Sequence, residues 1–247
     1  MGPLTDSACI VIKNLNKSFG EKHVLKDIDM QIPYGHIYGL LGPSGSGKTT
    51  LVKIVAGISE ASTGEVYVLQ EKMPQLPLMN RIGYMAQADA MYEDLTAEEN
   101  LSFFGSLYGL KKAELAERIR VVMDLVNLGD DLKRKVGVYS GGMKRRLSLA
   151  IALIHNPPLL LLDEPTVGID PVLRKSIWEE FHRLAAGGVT VLVTTHVMDE
   201  AEKCHYLGMV RDGKLIAQGK PQELKESIGV ASIEEAFLYF GGGSDAR

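Results

Sequence analysis

Residues 42–49 read GPSGSGKT and satisfy the pattern G-x-x-x-x-G-K-[ST] at every fixed position. That spacing binds phosphate. Gly42, Ser44, Gly45, Ser46 and Gly47 make a loop of small residues, so backbone N–H groups can curl around phosphate oxygens. Lys48 supplies a fixed positive charge for β- and γ-phosphates, and Thr49 a hydroxyl for Mg2+. A helix starting here adds about half a unit of positive partial charge.

Asp163 and Glu164 close the run PPLLLLDEP. In a protein with a phosphate-binding loop, an Asp at such a strand end supports Mg2+, and the next carboxylate can activate an attacking water. Side chains alternate along a strand, so the two roles need two residues. His196 ends VTVLVTTH, and Gln87 ends RIGYMAQ. Ligands of open α/β sheets bind beyond the carboxyl ends of the strands. His196 therefore receives a γ-phosphate role, and Gln87 can reach the metal. Ser140, Gly141 and Gly142 precede a helical pattern carried by Leu147, Ala150, Ile151 and Ile154. Glycines there leave the first N–H groups open, which suits an anion better than a side-chain cap.

Other polar residues receive plainer readings. His23, His36, His155, His182 and His205 lack such a placement and are assigned to surface or core. Lys144, Arg145 and Arg146, with Lys133, Arg134 and Lys135 upstream, are read as a solvated helix face and not as a nucleic-acid patch.

These residues need a scaffold that alternates strands with helices. The segment carrying Ile10 and Ile12 reads as β, and a turn follows at residues 19–22. LKDIDMQIP then sets Ile28, Met30 and Ile32 against Asp27, Asp29 and Gln31, the period of a half-buried antiparallel strand. Strict alternation puts Leu25 on the side of Asp27. HIYGLLG reads as a buried strand feeding a helix with Leu51, Ile54 and Val55 on one side and Gly57 as its stop. GEVYVL and RIGYMAQ are short strands. From about residue 92 to 154 the pattern is mainly helical, most clearly at Leu115, Ile119, Val122 and Val126. The four leucines before Asp163 are apolar on both faces, as in a central parallel strand. Leu173, Ile177, Phe181 and Leu184 mark another helix, VTVLVTTH a second buried strand, and Asp212-Gly213 a hairpin. The order predicts one α/β body with a helical insertion.

With 247 residues, 45% of them hydrophobic and 23% charged, the chain can bury a sizeable core. A net charge of −4 gives no global attraction for nucleic acid or an anionic membrane. Cys9 and Cys204 lie outside any CxxC spacing and read as buried thiols in a reducing compartment. No apolar stretch approaches the ~20 residues of a membrane span, and the first residues lack the pattern of a signal peptide. A cytosolic protein is expected, working at a membrane only through a partner.

In their order and approximate spacing, the motifs resemble those of the ATP-binding cassette family, specifically the nucleotide-binding subunit of an ABC transporter. The likeness rests on GPSGSGKT, the Gln87 loop, YSGGM, LLLLDEP, VGID and His196, and covers about residues 10–219. It implies an α/β fold: a P-loop NTPase core with an antiparallel β subdomain and a helical signature subdomain. Phe19, in NKSFGEK, matches the aromatic that stacks on adenine. By the same resemblance Ser44, Gly45, Gly47, Lys48, Thr49 and Thr50 hold the phosphates. Thr49 and Gln87 coordinate Mg2+ and Asp163 supports it. Glu164 is the general base, His196 contacts the γ-phosphate, and Asp170 belongs to a loop that communicates across a dimer. Ser140, Gly141 and Gly142 of one copy face the γ-phosphate held by the other, so a single chain does not complete its own site.

The expected ligands are therefore ATP and Mg2+. The expected partners are a second ABC subunit, identical or paralogous, and a separate transmembrane permease, with no nucleic acid. The expected place is the cytoplasm, peripheral on the cytoplasmic face of the plasma membrane. Residues 1–240 form one ABC ATPase domain with a helical subdomain at about 90–155, and 241–247 a disordered tail. Tyr139 and Met143 depart from the family's common LSGGQ. YSGGMKRRLSLA and GYMAQ look most like the ABC-2 subgroup, which implies export of a drug, lipid or polysaccharide type of substrate. The alternatives are a soluble ABC ATPase that assembles or remodels other complexes, and an importer subunit.

Overall fold

The computed structural model describes residues 8–87 and 91–242. Among them, β1 (Ala8–Phe19), β2 (Lys22–Pro33), β4 (Thr63–Val68) and β5 (Glu71–Lys72) form an antiparallel sheet in the order β2-β1-β4-β5. Ile28, Met30 and Ile32 are buried and the polar residues between them exposed, as the alternation requires. Leu25 departs from the expectation. It is fully buried, because Asp27 takes a left-handed φ of 48° and inserts an extra residue between the pairs Leu15 with Ile28 and Lys17 with Leu25. Asn16 holds the bulge from the facing strand: its Nδ2 donates to Asp27 Oδ1 (2.9 Å) and its Oδ1 accepts from Asp27 N (3.0 Å). The displaced start of β2 then runs alongside the phosphate-loop segment.

The second sheet is mostly parallel, with order β10-β9-β3-β8-β7-β6. Its strands are β3 (Ile37–Leu41), β6 (Ile82–Met85), β7 (Leu159–Asp163), β8 (Thr190–Thr195), β9 (Tyr206–Arg211) and β10 (Lys214–Gly219). Only the β9–β10 pairing is antiparallel within it, closed by Asp212 and Gly213, both at positive φ. Leu159 and Leu161 of β7 pack into the core shared with the antiparallel sheet, and Leu160 and Leu162 into the opposite core. All four are 0% exposed. Each contributes roughly 1.5–3 kcal/mol of burial. Apolarity on both faces is thus what a strand between two layers needs.

α1 (Lys48–Val55) packs on the antiparallel-sheet side through Leu51, Val52, Ile54 and Val55, and the chain leaves it through Gly57 at φ 73°. Between β6 and β7 run α2 (Ala97–Leu107), α3 (Lys112–Leu125) and α4 (Gly141–Leu153). Thr96 and Glu99 close a capping box at the start of α2, and Leu115, Ile119 and Val122 bury one stripe of α3. α5 (Pro171–Ala186) buries Ile177, Trp178 and Phe181 on that same side. The short α6 (Met198–Ala201), then α7 (Pro221–Ile228) and α8 (Ile233–Phe240), complete the chain order. The tail expected to be disordered begins at Gly241; residues 243–247 of it lie outside the described residues, as does residue 90 at the start of the expected helical subdomain. No helix among the described residues is long and apolar enough to cross a membrane.

Candidate functional site

The segments that follow β3, β6 and β7 line one cleft of about 550 Å³, and His196 after β8 lies outside its lining. β3 ends at Leu41 and α1 begins at Lys48, so residues 42–47 make the turn between them. Gly42 is required by a close approach: a Cβ there would stand 2.1 Å from the carbonyl oxygen of Val210 in β9. Gly47, at φ 107°, caps α1 without a side-chain acceptor, and the first amides of the helix stay open. The Lys48 ammonium turns back over the loop and donates to the carbonyls of Gly42 (2.7 Å) and Pro43 (3.0 Å). Burial lowers its pKa, and the charges of Glu164 and Asp163 oppose that shift.

Of the expected residues, Ser44, Gly45, Gly47, Lys48, Thr49, Thr50, Gln87 and Glu164 line this cleft together. The buried Ser46 Oγ, beneath the loop, makes no hydrogen bond within the described residues. Gln87 lies two residues beyond the end of β6, not at the strand end itself, and is exposed. Phe19 is exposed, 4.7 Å from the Lys17 ammonium, and outside the set that lines the cleft.

Asp163 and Glu164 part as their positions demand. Asp163 is buried, and its Oδ1 accepts from Thr194 Oγ1 at 2.5 Å; its Oδ2 has no partner within the described residues. Glu164 takes a left-handed φ of 51° and gives its amide to Thr194 Oγ1 at 3.0 Å. Its Oε1 lies 3.0 Å from His196 Nδ1, one residue past the end of β8. An orphaned carboxylate oxygen one residue before Glu164, whose cleft is also lined by Thr49 and Gln87, fits a hard cation. Among the described residues no group of three or more His, Cys, Asp or Glu could hold a metal alone. A cation here would therefore share its shell with phosphate and water.

Ser140, Gly141 and Gly142 stand apart from this cleft. Ser140 corrects the expectation of an uncapped start: its Oγ accepts from Met143 N at 3.2 Å, so α4 has a side-chain cap. The amides of Gly141 and Gly142 still have no acceptor inside the helix. Asp170 caps α5, accepting from Leu173 N at 3.0 Å.

Sequence reasoning missed several residues. Lys22, His23 and Lys26 of β2 line the cleft, as do Asp212 and Gly213 of the hairpin. His23 is thus a site-lining residue and not one of the plain surface or core histidines; the strand reaches the cleft through register shifts at Asp27 and again between Leu25 and His23. The basic run on α4 is not a solvated face. Arg145 is buried and donates to four backbone carbonyls, those of Ala86 (2.8 Å), Gln87 (3.0 Å), Asp163 and Glu164 (2.8 Å). Arg146 donates to the carbonyls of Val126 and Asn127, closing the end of α3, and Lys144 pairs with Glu93. Glu200 is buried too, accepting from Thr166 (2.5 Å) and Thr195 (2.7 Å), and so ties the turn after β7 to the end of β8.

The family described as ABC transporter matches residues 25–167. Nod factor export ATP-binding protein I of Cupriavidus metallidurans is 39% identical, over 92% of this chain and 77% of that one. The linearmycin resistance ATP-binding protein LnrL of Bacillus subtilis is 38% identical, over 92% and 76%. Among solved structures, an ATP-binding subunit of an ABC transporter superposes with a TM-score of 0.87 at 26% identity, covering 94% of this chain and 99% of that one. The dimeric cassette MJ0796, in a post-hydrolysis state with ADP and Pi, does so at 0.80 and 27% identity, covering 85% and 98%.

Proposed function

This chain belongs to the ABC transporter family, and on that premise we propose that it is the ATP-hydrolysing subunit of an exporter. The observation that carries the reading is the meeting of Lys48, Thr49, Gln87 and Glu164 in one cleft, with His196 against Glu164. ATP enters with its phosphates on the open amides of α1. Lys48 exchanges the carbonyls of Gly42 and Pro43 for β- and γ-phosphate oxygens. Glu164 takes a proton from water as its oxygen bonds to the γ-phosphorus and the bond to the β-bridging oxygen breaks, giving ADP and phosphate. His196 orients Glu164 and contacts the γ-phosphate. Phe19 stacks on adenine.

Thr49 Oγ1, Gln87 and, through water, Asp163 Oδ2 would hold Mg2+, which when bound neutralises charge on the phosphate oxygens. Ser140, Gly141 and Gly142 serve the nucleotide of a second copy or paralogue, and Asp170 lies on the loop facing it. The pair acts on a separate transmembrane subunit at the cytoplasmic face of the membrane. Relatives named for Nod factor export and linearmycin resistance support export as the direction.

Phosphate release by the purified chain tests this reading. Glu164→Gln should bind ATP normally and lose about 100-fold or more in kcat. A wild-type rate in that variant would remove Glu164 from the mechanism. Stoichiometric recovery of a polytopic protein from native membranes supports the transporter assignment, and recovery with soluble complexes alone overturns it.

A further inference from the structure

β6 and β7 pair from Ile82 with Leu159 to Met85 with Leu162, and there the ladder stops. The next residues on the two strands carry the side chains that matter, Gln87 on one and Glu164 on the other. Nothing in the β-sheet itself spaces them. Arg145 stands where the next ladder bonds would be. Its Nη1 takes the carbonyls of Ala86 and Gln87, and its Nη2 those of Asp163 and Glu164. Its side chain arrives from α4 and is buried, only 7% exposed. Glu164 also sits at a positive φ, a backbone state that persists only where its surroundings hold it.

We propose that Arg145 is a positioning residue for ATP hydrolysis: it fixes the distance and orientation between the Gln87 loop and Glu164. The guanidinium is suited to this because its N–H donors form a rigid planar fork, two edges of which can each grip a pair of carbonyls. A lysine ammonium is a point charge and cannot span both segments. The proposal rests on the reading of Glu164 as the base.

The test uses the full chain with Arg145→Met and Arg145→Lys, measuring melting temperature, ADP affinity, KM and kcat. The phosphate loop is untouched, so ADP affinity measured without Mg2+ should stay at the wild-type level. The rate kcat should fall on the order of 100-fold in Arg145→Met, as for a misplaced catalytic group. Arg145→Lys keeps the charge without the fork, and its kcat should still be lower by about tenfold or more. Where Arg145→Met does not fold, the lysine variant alone carries the prediction. A melting temperature that drops while kcat per folded molecule stays unchanged makes Arg145 a packing residue and overturns the proposal. Full recovery of kcat by lysine overturns it as well. Glu164→Gln separates the two readings. If that variant is inactive while both Arg145 variants hydrolyse at the wild-type rate, only the Arg145 proposal falls. If Glu164→Gln itself hydrolyses normally, the base assignment falls first.

Discussion

Thr194 holds both members of the acidic pair with one oxygen, donating to Asp163 and accepting from the amide of Glu164. Thr194→Val keeps the shape and removes both bonds, leaving a buried carboxylate oxygen without its donor. The expected result is a loss of about 1–3 kcal/mol in urea-unfolding stability, because the partner left behind is desolvated. Turnover should fall with it, by about tenfold, since Glu164 loses an anchor. Unchanged kcat at reduced stability would confine Thr194 to packing. At this scale the phosphate loop was legible because its chemistry is written in eight consecutive residues. Arg145 was not legible for the converse reason. Among the described residues its partners include main-chain carbonyls 58 residues away at Gln87 and 18 at Asp163, and a carbonyl has no residue type to recognise. A basic residue on a helix then looks like any solvated one.

Secondary-structure elements follow their patterns until a side chain bends the backbone. The leucine run of β7 and the Asp212-Gly213 hairpin formed as their periods and turn residues require, since each depends on neighbours in sequence. Leu25 escaped alternation because the Asn16–Asp27 pair stabilises a bulge that no local period announces. The C-terminal end of α4 offers a titratable test. His155 stacks on Tyr108 after α2, with ring centroids 3.6 Å apart and ring planes nearly parallel at 9°. Burial pushes its pKa from 6.5 down to about 4, and the Arg118 guanidinium adds to the shift. The unfolded state therefore binds the proton more readily than the folded one. Its contribution to stability is full above pH 6.5 and is lost as pH falls towards 4. His155→Phe keeps the stack without the titration, so its melting temperature should fall less steeply over that window. Parallel curves for the two proteins would exclude His155 as a source of acid sensitivity.

The whole molecule presents a phosphate cleft on one surface and the start of α4, with two open amides, outside it. Two copies arranged head to tail would bring each opened helix start to the other's cleft. Light scattering of Glu164→Gln should show a monomer without nucleotide and a doubled mass with ATP, reverting with ADP. A mass that ignores ATP would leave Ser140, Gly141 and Gly142 without their proposed ligand. The pairing has a genetic corollary that lies in α4. On the proposed pairing its tip would serve a neighbour's nucleotide, while its shaft, through Arg145, would steady the base of its own chain. An alteration that merely tilts this helix would damage two reaction centres at once, one in each subunit. In a cell making intact and altered copies that pair at random, most dimers would contain a bad one, and in each of those no centre would be spared. Such lesions should behave as dominant. Changes confined to the phosphate loop would leave the opposite centre whole and behave as recessive wherever one working centre suffices.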